Sequence, residues 1–219
     1  MYLNNPEYVK IGDKKYKINT DFRVAIECNN IAQDDSIGDT ERSLAIIYKL
    51  FGDEGLDNPQ DWEKLLELAI KYLTLNKDTS DVDNNTEIDM DFNEDMDYIE
   101  ASFMSDYRID ITTEKMHFWK FYTLLEGLSN SELGNCCVLN RVRNLRTFDL
   151  SQIKDSKERE RLAKAKEMVA LKSTKKEVEL TKEQEESMNK LNEIIGLKNR
   201  RWFYGWKSYN WLWTRYNRF

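Results

Sequence analysis

The chain has 219 residues, 33% of them charged and 40% hydrophobic, with a mean hydropathy of −0.74 and a formal net charge of −7. No window approaches the roughly 18 consecutive apolar residues of a membrane span. The 8 Gly and 2 Pro are too few for collagen, for Pro-rich disorder or for the frequent turns of a β-sandwich or barrel. A soluble, mainly helical protein is expected.

The N-terminal stretch from Met1 to Gly12 has no basic segment followed by an apolar one, so no secretory signal is expected. Tyr8 to Ile11 and Tyr16 to Ile18 alternate apolar and polar residues around Gly12-Asp13, the pattern of a β-hairpin. Asn19, Thr20 and Asp21 are capping residues, and a helix is predicted from Asp21 to Ala32. Thr40 is expected to cap a second helix, with Leu44, Ile47, Tyr48 and Phe51 on one face and Gly52 and Gly55 ending it. Asn58-Pro59-Gln60-Asp61 then reads as a helix start. Trp62, Leu65, Leu66, Ala69, Ile70 and Leu73 follow at helical spacing, with an end near Asn76.

Lys77 to Glu87 lacks apolar periodicity and reads as an acidic mobile loop. A helix is predicted from Asp95 to Tyr107. A second, from Glu114 to Leu128, is apolar on nearly every side and is therefore placed at the centre of the core, around Trp119, Phe121, Tyr122, Leu124 and Leu125. Ser131 to Leu145 is predicted as a further helix containing Cys136 and Cys137. Beyond Ser151 the helices have narrow seams, at Leu162, Ala165 and Val169 and then at Met188, Leu191 and Ile195 after a Thr181–Gln184 capping box. The expected architecture is mainly α: residues 1–150 form a helical core domain with an N-terminal hairpin, and residues 151–219 form a charged helical extension ending in an aromatic basic tail.

Chemistry is sparse. Cys28, Cys136 and Cys137 are odd in number and read as reduced thiols. His117 is the single histidine and is read as a satisfied residue inside the core helix, which leaves zinc and Ser–His or Cys–His catalysis without support. No glycine-rich phosphate cradle occurs. The expectation is a protein that binds rather than catalyses, without a cofactor. Asp89, Asp91, Asn93, Asp95, Asp97 and Glu100 match positions 1, 3, 5, 7, 9 and 12 of an EF-hand loop. Glu94, however, stands where that loop needs Gly, and no clear helix precedes Asp89. The favoured reading is an acidic loop running into a helix N-terminus.

After Glu193 no carboxylate side chain occurs, and four of the six Trp lie between Arg200 and Phe219. Trp202, Trp206, Tyr209, Trp213 and Tyr216 follow 4-3-4-3 spacing, with Arg200 and Arg201 beside them. Three kinds of use stay open for this seam. It could pack on the chain's own helices or on a second copy. It could dock on another protein, since Trp, Tyr and Arg dominate interface hot spots. Membrane-surface binding or stacking on single-stranded nucleic acid is less specific. The overall acidity argues against a general nucleic-acid binder, and neither nucleic acid nor membrane is an expected partner.

Asp97-Tyr98-Ile99-Glu100-Ala101-Ser102-Phe103, Asp106-Tyr107-Arg108-Ile109-Asp110-Ile111, Phe118-Trp119-Lys120-Phe121 and Leu124-Leu125-Glu126-Gly127-Leu128 together resemble the bacteriophage gene-product-fifteen family. Arg141-Val142-Arg143, Lys157 to Leu162, and the hairpin leading into Asp21-Phe22-Arg23 are also similar to it. The resemblance runs over roughly residues 8 to 171, and the aromatic tail lies outside it. It implies a tail-assembly chaperone of a long-tailed phage or prophage that binds the tape-measure protein, the tail-tube protein or both. It further implies action in the host cytoplasm and absence from the mature virion. The alternative is a cytoplasmic helical adaptor or structural subunit that oligomerises through its aromatic C-terminal helix.

Overall fold

A computed structural model describes residues 5–77, 88–130 and 136–172. The acidic stretch beyond Lys77, the segment from Thr181 to Ile195 and the aromatic tail lie outside the described residues. Among the described residues the chain is mainly helical. The strands β1 (Tyr8–Ile11) and β2 (Lys14–Lys17) are followed by eight α-helices. These are α1 (Phe22–Gln33), α2 (Asp39–Phe51), α3 (Asp53–Leu56), α4 (Trp62–Leu73), α5 (Phe92–Tyr107), α6 (Phe118–Glu126), α7 (Val138–Thr147) and α8 (Ser156–Met168). None of them is long and apolar enough to cross a membrane. The described residues fall into two compact units: one from residues 5–77, 95–130 and 136–142, the other from 88–94 and 143–172.

The hairpin follows from its turn. Gly12 takes φ +56° at the first central position, as a type II′ turn requires, and this sets the antiparallel register Tyr8↔Lys17, Val9↔Tyr16, Lys10↔Lys15 and Ile11↔Lys14. Tyr16 points inward, and its hydroxyl donates to the Asp61 carboxylate at 2.6 Å. Asp21 caps α1 by accepting from the Arg23 amide. Thr40 does not cap α2. The cap is Gly38, whose amide donates to the Glu41 side chain, so Thr40 lies inside the first turn. Gly52, with φ +67°, ends α2 as expected. Gly55 sits within α3, where an added Cβ would lie 2.8 Å from the Phe51 Cβ and 3.0 Å from Ile47; its role is close packing.

The core of the larger unit centres on three rings. Phe121 of α6 stacks on Phe22 of α1 at 4.2 Å between centroids and on Phe103 of α5 at 5.2 Å. All three are almost fully buried, with Ile46, Ile47, Leu50, Leu65, Ile99 and Leu139. The buried helix predicted from Glu114 begins only at Phe118. Two backbone bonds, from the Phe22 amide to the Met116 carbonyl and from the Phe118 amide to the Thr20 carbonyl, hold residues 116–117 extended against the start of α1. His117 is therefore the N-cap of α6 and does not lie inside it. Its Nδ1 accepts from the Trp119 amide, and its Nε2 meets the Pro6 carbonyl at 3.1 Å. Phe121, Tyr122 and Leu125 are buried as expected, but Trp119 and Leu124 are only half-buried. Trp119 lies against Tyr72, and its indole N–H donates to the Tyr72 carbonyl at the end of α4.

These placements rank two substitutions. Phe121→Ala removes the middle ring of the stack and should cost about 3–5 kcal/mol. Trp119→Ala should cost clearly less. Urea denaturation of both variants checks the order, and equal losses would contradict the packing.

Candidate interaction surfaces

The polar residues of the larger unit mostly hold loops and helix ends. Arg23 pairs with Asp21 through Nη1, and its Nη2 donates to the carbonyls of Ile111, Thr112 and Glu114, which closes the loop between α5 and α6. Arg108 ends α5 in the left-handed region, at φ +60°. The Tyr107 hydroxyl donates to the Leu124 carbonyl at 2.9 Å, tying α5 to α6. Asp106 accepts from the Ser129 amide at 2.8 Å and from the Ser105 hydroxyl. Burial pushes the Asp106 carboxyl up, but these bonds together outweigh it and hold the group below its ordinary value. The Thr112 hydroxyl and amide do the same for Asp110. Buried Ser102 accepts from the Leu139 amide at the start of α7, and the Asn140 side chain donates to the Leu128 and Ser129 carbonyls.

Between α5 and α7 an open cleft of about 600 Å³ is lined by Ala101, Ser105, Asp106, Ser129, Cys136, Cys137, Val138 and Arg141. Cys136 and Cys137 line it just ahead of α7, not within a helix as predicted, and the Cys137 amide donates to the Ser129 carbonyl. The third thiol, Cys28, is buried, and burial pushes it up to about 12, so it is protonated at neutral pH. The cleft was not legible in the sequence, because nothing local signals that Ala101 and Val138 line one space.

In the smaller unit, Asp89 meets Arg143 through Nε and Nη2, the shortest contact being 3.0 Å, with both side chains nearly buried. Arg146 donates from Nη1 to the Asp89 carbonyl and from Nε to the Val169 carbonyl. Burial raises Asp89 by more than the two guanidinium groups lower it, so its carboxyl stands above the usual range.

This placement decides how the EF-hand-like residues are used. Asp89 is committed to Arg143, and Asp91 caps α5 by accepting from the Asn93 and Glu94 amides. Asn93, Asp95, Asp97 and Glu100 lie along α5, with Asp95 fully buried. A helix spreads side chains around its axis, so these residues do not form the wrapped loop that Ca²⁺ needs. No group of three or more metal-ligating residues occurs among the described residues. Trp202, Trp206, Tyr209, Trp213, Tyr216, Arg200 and Arg201 lie outside the described residues.

Most segments that carried the sequence resemblance thus lie at the joints of a mainly helical scaffold with a hairpin at its start. The chain belongs to the bacteriophage Gp15 protein family, whose family model matches residues 3–171. Neither curated proteins nor solved structures give a significant match to it.

Two measurements follow. Arg143→Met leaves Asp89 buried without its main counter-charge, which should cost about 3–5 kcal/mol at neutral pH. A raised carboxyl favours the folded state below the unfolded carboxylate value and loses that advantage as pH rises through its folded value. The deficit of Arg143→Met should therefore shrink on acidification toward the carboxylate range, as read by urea denaturation; a deficit independent of pH would contradict the assignment. Millimolar Ca²⁺ should leave Tm unchanged, and a saturable rise of several degrees would contradict the commitments of Asp89 and Asp91.

Proposed function

We propose that this phage protein is a tail-assembly chaperone that binds the tape-measure protein, the tail-tube protein or both while the tail is being built. The observation that carries the reading is the family match over residues 3–171. On this reading the protein works by binding, without a cofactor or a catalytic step, in the host cytoplasm, and is not retained in the mature virion.

The physical requirements agree with the reading. A tape-measure protein is long, helical and prone to associate, so a helper must cover apolar seams while keeping the complex soluble. The charged composition answers the second need. The open α5–α7 cleft offers a recess for side chains of a bound helix. The aromatic tail, with Trp202, Trp206, Tyr209, Trp213 and Tyr216, is the second proposed contact, and Arg200 and Arg201 would form its rim.

Co-expression with the tape-measure and tail-tube proteins of the same phage tests the reading. The tape-measure protein should become soluble and co-purify with the chain. A folded chain that leaves it insoluble, and captures no tail-tube protein, would contradict the proposal. Truncation after Leu197 should leave the core cooperative on melting and weaken this capture. Full capture by the truncated chain would remove the tail from the binding site.

A further inference from the structure

We infer that the outward face of the N-terminal hairpin docks an acidic, extended segment of a partner protein. The register places Tyr8 opposite Lys17 and Lys10 opposite Lys15, and alternation puts all four on the same side of the two strands. All four are exposed, whereas Tyr16 on the other side is buried. Lys14, also on that other side, pairs with Asp61 and donates to the Asn58 side chain. Lys10, Lys15 and Lys17 have no salt bridge among the described residues, and the Lys15 ammonium instead sits 3.7 Å from the centre of the Tyr8 ring.

Like charges placed directly across a strand pair are destabilising, so the Lys10–Lys15 pair costs the hairpin stability, offset in part by the contact of Lys15 with the Tyr8 ring. A carboxylate-bearing strand laid along this face would remove the repulsion and meet three ammonium groups. The molecule as a whole carries −7, so this basic face is a local exception that steers acidic groups to one place. One feature disfavours nucleic acid as the occupant: the Tyr8 ring is already covered by Lys15, so it offers no free platform for a base. This face shares no residue with the cleft, and the inference does not depend on which phage protein is bound.

The experiment titrates the full chain with an oligoglutamate peptide, and separately with an oligothymidylate of equal charge, at low salt. Hairpin amide chemical shifts and fluorescence anisotropy are followed. The peptide should shift the amides of residues 8–17, and its affinity should fall with added salt. Lys15→Glu combined with Lys10→Glu should weaken binding by roughly tenfold, the scale of two exposed charge pairs, while replacing Lys10, Lys15 and Lys17 by Arg should retain it. Lys15→Glu alone turns the like-charge pair into an opposite one, so its Tm should equal or exceed the parent's while binding weakens. Unchanged affinity in the charge-reversed variants would overturn the inference, as would oligothymidylate binding as tight as the peptide's. Self-association of those variants with peptide affinity intact would also overturn it, because the lysines would then serve only to keep strand edges apart.

Discussion

Phe121 lies between Phe22 and Phe103, and the helices carrying these rings can meet only because the chain crosses itself just before two of them begin. The backbone bonds Phe22 to Met116 and Phe118 to Thr20 fix that crossing. Each bond satisfies one amide that would otherwise be unpaired at a helix start, and each places a phenylalanine at the first position of its helix. Asp21 and His117, paired in the same short bridge, then cap α1 and α6. One junction thus sets two helix origins, two caps and two rings of the stack.

The remaining polar contacts of the larger unit protect this arrangement. Arg23 leaves the capped start of α1 and gathers three carbonyls of the loop that returns the chain from α5 to Met116. Tyr107 and Asp106 fasten the end of α5 to the end of α6 and to Ser129. These bonds are made mainly to backbone groups. Their work is to fix loops that have little apolar surface of their own. The result leaves the α5–α7 cleft open and the outer face of the hairpin exposed.

Local patterns made the elements legible. Alternation around Gly12-Asp13 predicted the hairpin, and of the residues at helical spacing Leu65 and Ala69 lie on the buried side of α4, where Tyr72, outside that set, joins them. What was not legible depends on contacts between distant residues. Glu114 to His117 read as the first turn of the buried helix, yet Met116 and His117 are extended because the bonds from Phe22 to Met116 and from Phe118 to Thr20 hold them against the start of α1. Trp119 is as apolar as Phe121, but its indole N–H finds the Tyr72 carbonyl near the surface, which leaves it half-buried. Asp89 belongs to an acidic cluster in the sequence, and only the fold brings it to Arg143, 54 residues away. The cleft was invisible for the same reason. The aromatic seam beyond Arg200 remains a sequence reading, since it lies outside the described residues.

Native-state hydrogen exchange of the full chain tests the role of the chain crossing most directly. The Phe22 and Phe118 amides should be among the slowest to exchange and should share one opening free energy, equal to that of global unfolding and matching the Phe121 amide of α6. Exchange of Phe22 and Phe118 as fast as the hairpin amides, with Phe121 still protected, would show that α6 is stable without the crossing and would contradict the account.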